Sequence, residues 1–388
     1  MLSLLSMTTL AVCFAGCGKS GIGRQPAPAT KWTLDVGSVY VPLAIGQAGA
    51  IYALTNSGEL KAVGSGGGLL WSQPVASPDK VFGVGPAVGP DGTIYVLTAH
   101  SLTLYGPEGT LLKSWNLKNN EGTAFGIGLT RTRLYFQCGL FALCSWSLGP
   151  LWQPQWVIHN LSGRAAPLIH RDGQVVLSGD LLFELDGTSR VSDWFYPDSG
   201  YFTQDRFDPS GVEIRGGAAM HVIAAVAGPY GGTYALSPRG LLALTDKGKK
   251  LWEFETQPMD FQPVVATDGT VYLMSKKSEL IAVQPDGKKA WAFSAVGQPG
   301  PPLLGGSGTI YCPVENKLYA IDPSGHEKWE AVLDSEVWGS MTLSSDGTLY
   351  AATRKGTLYA FPVGEGLMAS PWPKFQGNVR NSGEEGVE

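Results

Sequence analysis

The sequence lacks any cluster of positive charge. Its 28 lysines and arginines are scattered among 33 acidic residues, the formal net charge is −5, and no basic run exceeds a pair such as Lys249-Lys250. A nucleic-acid groove needs clustered cations that displace counterions from the phosphates. Nucleic acid is therefore excluded as an expected partner.

The uncharged start of the chain carries only a short apolar run. Residues 1–17 have no charged side chain, and Leu2 to Val12 are rich in Leu, Met, Ala and Val. A membrane span needs about 20 residues, so this stretch is typical of a secretory signal peptide. It ends in Phe14-Ala15-Gly16-Cys17, and small residues before a cysteine resemble the lipobox of bacterial lipoproteins. We predict a signal peptide over 1–17 and a lipid on Cys17; an ordinary signal peptide cleaved nearby is the alternative.

Cysteine is scarce after this leader, where three remain: Cys138, Cys144 and Cys312. An exported protein can oxidise Cys138 and Cys144. A hairpin turn at Gly139 would place Cys144 opposite a residue near Arg133, whereas a disulfide needs Cβ atoms within about 4.5 Å of each other. We therefore disfavour a bond between Cys138 and Cys144.

Tryptophan, by contrast, is frequent and periodic. A tryptophan closes a strand-like segment eight times, at Trp32, Trp71, Trp115, Trp156, Trp194, Trp252, Trp291 and Trp329. A second marker follows a turn eight times, at Tyr52, Tyr95, Tyr135, Val176, Tyr234, Tyr272, Tyr311 and Tyr350. Both series repeat about every 40 residues, with one longer gap that they share. The chain therefore contains eight copies of one unit.

Each unit reads as four short strands joined by tight turns, several of them Asp-Gly, as between Trp252 and Trp291. A four-stranded unit of about 40 residues is a propeller blade, and large aromatics fill the space between blades. We therefore interpret the tryptophans as packing between blades and not as a ligand platform. The strand at Trp32 precedes any complete unit and the last unit lacks a fourth strand. We predict an all-β, eight-bladed β-propeller in which the N-terminal strand closes the last blade.

We expect four segments along the chain: a signal peptide over 1–17, a flexible Gly/Pro/Ala/Ser tether over 18–30, the propeller over 31–362 and a C-terminal tail over 363–388. In the tail, we expect Trp372 and Phe375 to fold back onto the propeller rim.

The repeats resemble the PQQ-like repeat, on segments such as Gly269-Thr-Val-Tyr-Leu-Met274, Glu279-Leu-Ile-Ala-Val283 and Lys317-Leu-Tyr-Ala-Ile-Asp322. That repeat builds quinoprotein dehydrogenases and BamB-like lipoproteins. The dehydrogenases resemble one another in a vicinal cysteine pair and an acidic Ca²⁺ site, and neither pattern occurs here. Length, lipobox and single propeller are more similar to the BamB-like lipoproteins.

The resemblance implies a non-catalytic, monomeric, lipid-anchored scaffold of the cell envelope that binds protein partners and has no cofactor or metal. Two alternatives stay open. One is a surface receptor for a carbohydrate or a peptide, and the other is a degenerate PQQ-dependent dehydrogenase. The five histidines lie on different units without metal-ligand spacing.

Candidate binding residues lie in the loops that lead from one unit to the next, around one mouth of the channel. Five of these loops carry an aromatic residue: Tyr40, Phe82, Phe125, Phe261 and Trp338. Such a ring of aromatics can grip a peptide. Filling the channel or wedging between blades is the alternative, and the more common role for such side chains.

The longer gap contains an insertion over about 195–216. Its aromatic residues include Tyr196, Tyr201, Phe202 and Phe207. Long loops in compact repeats are usually functional or disordered, and this one is too aromatic for simple disorder. A flap over the channel mouth is one hypothesis, and an insertion packed on its own blade is the other.

Overall fold

The structure is a computed structural model. It describes residues 24–75, 84–98, 100–117, 126–139, 142–148, 154–158, 167–169, 174–176, 182–184, 189–190, 206–207, 213–214, 223–245, 249–339, 341–374, 377–378 and 380–382.

The described residues form eight four-stranded antiparallel sheets, numbered here in chain order. Sheets 1 to 4 consist of β2 (Ala44–Ile45), β3 (Ile51–Leu54), β4 (Glu59–Val63) and β5 (Leu69–Pro74); β6 (Ala87–Val88), β7 (Ile94–Leu97), β8 (Ser101–Tyr105) and β9 (Leu111–Asn116); β10 (Ile127–Leu129), β11 (Arg133–Gly139), β12 (Ala142–Ser147) and β13 (Pro154–Ile158); and β14 (Leu168–Ile169), β15 (Gln174–Val176), β16 (Leu182–Glu184) and β17 (Ser189–Arg190).

A two-stranded hairpin, β18 (Arg206–Phe207) and β19 (Glu213–Ile214), separates these sheets from the rest. Sheets 5 to 8 consist of β20 (Ala224–Ala227), β21 (Thr233–Ser237), β22 (Gly240–Leu244) and β23 (Lys250–Glu255); β24 (Val264–Val265), β25 (Val271–Met274), β26 (Glu279–Val283) and β27 (Lys289–Ser294); β28 (Leu303–Leu304), β29 (Ile310–Val314), β30 (Lys317–Ile321) and β31 (Glu327–Val332); and β32 (Met341–Leu343), β33 (Thr348–Ala352), β34 (Thr357–Pro362) and β1 (Trp32–Asp35). A 3₁₀ turn, Pro229–Gly231, lies within sheet 5.

Sheet 8 joins the two ends of the chain. Its fourth strand is β1, which pairs antiparallel with β34 from Trp32 opposite Ala360 to Asp35 opposite Thr357. The other seven sheets are meanders of consecutive strands. The predicted closure of the last unit by the N-terminal strand is therefore confirmed. It covers two sheet edges that would otherwise be open to other chains.

Burial falls from the first strands of a sheet to the fourth. In sheet 2 every residue of β7 and β8 is buried, whereas five of the six residues of β9 are exposed. First strands of successive sheets contact one another, as β2 contacts β6 and β20 contacts β24. Strands covered on both faces can be apolar throughout, which explains their runs of Ile, Val, Leu and Tyr.

The repeat tryptophans join neighbouring sheets. Each indole N–H donates to a carbonyl in a turn of the next sheet, at 2.7–2.9 Å: Trp32 to Ser65, Trp71 to Pro107, Trp252 to Pro285 and Trp291 to Pro323. The ring covers a turn glycine, so that a Cβ at Gly325 would lie 2.7 Å from the Trp291 ring. The predicted packing between sheets is confirmed for these four tryptophans.

Trp115 does not belong to this series. In sheet 1 Tyr52 lies opposite Ala62, which lies opposite Trp71. In sheet 2 Tyr95 lies opposite Leu104, and Leu104 lies opposite Lys113. Trp115 lies two residues further along β9. There it packs edge-on against Trp146 of sheet 3, with ring centroids 4.9 Å apart. The predicted packing between sheets is therefore confirmed for Trp115, but its position within the repeat was predicted wrongly, because spacing along a chain does not record a shift of two residues in strand register.

Cys144 is disulfide-bonded, contrary to our expectation. We placed the hairpin turn at Gly139, but β11 extends through Gly139 and pairs it with Ala142. Cys144 therefore lies opposite Phe136 and not near Arg133. Cys312 is a free, buried cysteine.

The residues before β1 contact sheet 7. Arg24 forms ion pairs of 2.6 Å with Glu327 and Glu330, and the Gln25 N–H donates to the Lys328 carbonyl at 2.8 Å. These two residues of the predicted tether are thus bound to β31. A flexible tether stays a prediction for residues 18–23, which lie outside the described residues together with the signal peptide and Cys17.

Candidate functional site

The two ends of the sheets differ in what they carry. We call the end that carries the connections between sheets, such as 36–43 and 333–340, the loop end. The turns between third and fourth strands, such as 64–68 and 106–110, lie at the opposite end, which we call the turn end. Because the strands of a meander alternate in direction, the turn between second and third strands also lies at the loop end.

Three of the predicted mouth aromatics lie among the described residues, each in a connection at the loop end. Tyr40 lies between β1 and β2, Phe261 between β23 and β24, and Trp338 between β31 and β32. Phe82, Phe125, Tyr196, Tyr201 and Phe202 lie outside the described residues. Phe207 lies in β18, of which the backbone is described.

Tyr40 and Trp338 meet through Arg354, in the turn between β33 and β34. The guanidinium carbon lies 4.9 Å from the centroid of the Tyr40 ring and 5.6 Å from that of Trp338. The rings stay accessible, with Tyr40 37% and Trp338 44% exposed. We call these three residues the mouth cluster.

A carboxylate fixes the guanidinium of this cluster. Arg354 Nη1 lies 2.8 Å from Glu336 Oε2, and the Arg354 backbone N–H donates to the Glu336 carbonyl at 2.9 Å. Arg354 Nη2 donates to the Tyr40 hydroxyl at 3.3 Å. This hydrogen bond lowers the pKa of the Tyr40 phenol, with a smaller contribution from Ser38. The cluster is therefore an ordered cation between two aromatic rings.

Sequence reasoning missed Arg354 and Glu336, because it searched the connections between sheets for aromatic residues. The sequence offered only a weak signal, because the residue equivalent to Arg354 is Asn56 in sheet 1 but the basic Lys276 in sheet 6. Only the antiparallel alternation shows that this turn reaches the same end as Tyr40 and Trp338.

Phe261 has a different environment. It is half-buried and packs against a hydrophobic cluster of sheets 6 and 7 that includes Met274 and Leu304. Of the three described aromatics, the structure thus brings Tyr40 and Trp338 together and sets Phe261 against the core.

The insertion over 195–216 falls between β17 and β20, which is a connection at the loop end. Its described part is the hairpin of β18 and β19, with Arg206 opposite Ile214 and Phe207 opposite Glu213. The insertion therefore contains strand structure of its own.

The C-terminal segment lies on the first strands of the sheets and not on the rim. Trp372 is fully buried, and Asn381 donates to the Leu43 and Pro86 carbonyls. The expectation that Trp372 packs on the rim is therefore wrong, because first strands have unpaired edge N–H groups that need acceptors. Phe375 lies outside the described residues. Four such groups donate to the segment at 2.7–2.8 Å: Val265 to Trp372, Leu304 to Pro373, Val88 to Arg380 and Leu129 to Ser382.

This segment contains a buried lysine. Lys374 is 1% exposed, and its ammonium nitrogen donates to the Asn381 side-chain oxygen and to the Asn378 carbonyl. Burial lowers the pKa of Lys374 to about 7.

The contacts of the C-terminal segment have one result for the centre of the molecule. The chain's own residues occupy the inner edges of sheets 1, 2, 3, 6 and 7.

The part of the chain that the structure describes contains no group of three or more His, Cys, Asp or Glu side chains placed to hold a metal ion. No helix there is long and apolar enough to cross a membrane.

Solved structures share this architecture. BamB from Moraxella catarrhalis superposes with a TM-score of 0.63 at 13% identity, over 85% of this chain and 97% of that one. Sqt1 from Saccharomyces cerevisiae gives 0.64 at 10% identity, over 87% and 99%. A virginiamycin B lyase from Staphylococcus aureus gives 0.52 at 11% identity, over 85% and 98%. These likenesses define the class: the chain is a β-propeller.

A family model matches part of the chain. The family model described as outer membrane protein assembly factor BamB matches residues 238–366. No curated protein matches the sequence. Over residues 238–366 the chain is similar to the PQQ-like repeat β-propellers, in agreement with the resemblance of its repeats.

Proposed function

We propose that this chain is a non-catalytic scaffold of the cell envelope that binds a protein partner through its loop end. A lipid on Cys17 anchors it to the membrane, and the protein is BamB-like in this general sense. The observation that carries the proposal is the mouth cluster, in which Arg354 lies between the exposed rings of Tyr40 and Trp338.

The composition of the cluster favours a protein partner. Trp, Tyr and Arg supply most of the binding energy at protein interfaces, where a few side chains dominate. The ion pair with Glu336 holds Arg354 before any partner arrives. A side chain that is already ordered loses less entropy on binding, so the same contacts give higher affinity.

The fold alone does not decide between a scaffold and an enzyme, because BamB and virginiamycin B lyase both resemble it. The C-terminal segment supports the scaffold. Its residues from Trp372 to Ser382 bind the first strands of sheets 2, 3, 6 and 7, so a substrate has little room at the centre. The exposed surface at the loop end is left for recognition.

Two features support an envelope location. The leader and Cys17 resemble a lipoprotein start. The disulfide at Cys144 suits an oxidising compartment, because thiols in the cytosol are kept reduced.

A photo-crosslinking amino acid at position 338 tests partner binding. With membranes of the source cell, we expect a crosslinked protein from position 338 and none from position 288, whose side chain is 79% exposed at the turn end. The double variant Tyr40→Ser, Arg354→Ser, with the crosslinker kept at position 338, should fold, because both side chains are exposed, and should lose capture. Equal capture by the folded double variant contradicts the proposal. Added PQQ and Ca²⁺ should leave the absorbance spectrum that of protein and free quinone.

The anchor has a separate test. Mass spectrometry of the N-terminal peptide should show an acylated Cys17, and Cys17→Ala should move the protein from the membrane to the soluble fraction. An unmodified N-terminus after a cleavage elsewhere contradicts the anchor and leaves partner binding untouched.

We also propose that the insertion over 195–216 acts as a flap at the loop end, since its hairpin lies in the connection between sheets 4 and 5. Deleting residues 197–213 should reduce crosslinking from position 338 without unfolding the propeller. Unchanged crosslinking favours an insertion that only packs on its own sheet.

A further inference from the structure

Four leucines are exposed together on sheets 1 and 2. Leu69 and Leu70 begin β5 with 51% and 59% exposure, and Leu111 and Leu112 begin β9 with 58% and 54%. We call them the leucine band. Single exposed leucines are ordinary, whereas a continuous apolar patch marks a surface that contacts something.

A β-bulge makes both leucines of each pair face outward. Val63 lies opposite Leu69 and Ala62 lies opposite Trp71, so that Leu70 is the extra residue of β5. The same shift makes Leu112 the extra residue of β9. Neighbouring strand residues normally point to opposite faces, and a bulge changes the direction of one of them.

The two pairs are continuous across the sheet boundary. The Trp71 indole, next to Leu70, donates to the Pro107 carbonyl at 2.8 Å in the turn that leads to Leu111. A Cβ at Gly109 of that turn would lie 2.7 Å from the Trp71 ring. The leucine band is therefore one surface on the outer rim at the turn end, with half-buried Trp71 in its middle.

The fold does not need leucine at these positions. The register places Lys289 and Ala290 of sheet 6 at the equivalent positions, and Glu327 and Lys328 of sheet 7. Both of these sheets form the same bulge, and sheet 6 also forms the same tryptophan contact. Apolar side chains on sheets 1 and 2 therefore have a role other than folding.

The N-terminus arrives at the same end of the molecule. Trp32 at the start of β1 donates to the Ser65 carbonyl in the turn that precedes Leu69. Before it, Arg24 is held at the start of β31 by Glu327, also at the turn end. Cys17 precedes Arg24 by seven residues, a reach of at most about 25 Å. A lipid on Cys17 would thus enter the membrane within a short distance of the turn end.

We propose that the leucine band lies on the membrane surface and orients the propeller there, with the loop end directed away from the bilayer. This rests on the proposed lipid anchor. The turn at 64–68 carries no charge and the turn at 106–110 carries only the carboxylate of Glu108, so the contact does not require anionic lipid. The mouth cluster then faces the compartment where a partner can reach it.

Hydrogen exchange of the full lipidated protein on phosphatidylcholine vesicles tests the contact. The variant Leu70→Ala, Leu112→Lys copies the residues Ala290 and Lys328 of sheets 6 and 7, so it keeps the fold. The matched control is Leu251→Ala, which removes a leucine of 62% exposure at the equivalent position of sheet 5, outside the band.

We expect amides of 64–70 and 106–112 to exchange at least about threefold more slowly in the wild type than in the band variant. A threefold difference corresponds to about two-thirds of the wild-type molecules having the leucine band on the membrane surface. Amides of the sheet 6 turn, 284–288, should exchange equally in both proteins, and Leu251→Ala should behave like the wild type.

Equal exchange of wild type and band variant on the vesicles overturns the proposal. Protection that disappears when the protein is diluted tenfold on the same vesicles points to a second copy of this chain and also overturns it. Mass spectrometry of the same sample reports acylation of Cys17. An acylated protein without protection therefore contradicts the band alone, whereas an unacylated protein contradicts the anchor.

Discussion

The contact between a repeat tryptophan and the next sheet gives a sharp prediction for Gly325→Ala. Gly325 has a φ of +90°, and a Cβ there would lie 2.7 Å from the Trp291 ring. A left-handed backbone costs a residue with a Cβ about 1–2 kcal/mol. The overlap with the indole adds about 1–3 kcal/mol, as overpacking usually does. We expect a loss of about 2–5 kcal/mol in the free energy of unfolding.

Gly49→Ala is the matched control, because Gly49 has a φ of +76° and no atom within 4 Å of the added Cβ. It carries the backbone cost without the overlap, so we expect a loss of about 1–2 kcal/mol. Urea unfolding monitored by far-UV circular dichroism measures both variants, provided that the m-value is unchanged.

A double-mutant cycle isolates the overlap. Trp291→Ala removes the indole, so Gly325→Ala should cost about 1–3 kcal/mol less in that background than in the wild type. Equal losses for Gly325→Ala and Gly49→Ala, or a cycle with no coupling, would refute the idea that Trp291 fixes sheet 6 on sheet 7.

Three further outcomes are expected. The folded pKa of Lys374 is about 7 against 10.5 for an ordinary lysine, so between these values the unfolded chain binds the extra proton. Stability should therefore rise with pH in this window by up to about 1.4 kcal/mol per unit, and Lys374→Met should lose that slope when urea unfolding is compared at pH 7 and pH 9. Trp372→Ala should lower stability by about 3–5 kcal/mol, measured by the same unfolding, because the side chain is fully buried; a loss below 1 kcal/mol would contradict its place on the first strands. Cys312 should resist iodoacetamide in the native protein and react after unfolding, because burial raises its thiol pKa to about 12.

Periodicity predicted the features that every unit repeats. The four strands recur in all eight sheets and the tryptophan contact in four of them, so a spacing of about 40 residues is enough to find them. Closure by the strand at Trp32 followed from the count of strands, and β1 indeed pairs with β34.

Features that occur once could not be read in this way. Trp115 has about the expected spacing along the chain, but it is shifted by two residues in strand register. In β9 the position that holds tryptophan in other units is occupied by Lys113. The length of β11 decided the environment of Cys144, and a turn residue such as Gly139 does not fix that length.

The candidate site was predictable only in part. Tyr40 and Trp338 were found from their positions in the connections between sheets, whereas Arg354 joins them through a turn that is distant in sequence from Tyr40. The leucine band was not found, because a leucine at the start of a strand usually belongs to the core. Its exposure depends on a bulge that no composition rule predicts.

The pairing of β1 with β34 has a consequence for biogenesis. The strand that the ribosome makes first finds its neighbour only after residue 362 has been made, and residues up to Ser382 are needed to bridge the inner edges. A nascent chain thus has no stable circular form to reach while it is being synthesised. Assembly in one late event is compatible with passage through a membrane as an extended polypeptide, which the proposed envelope location requires.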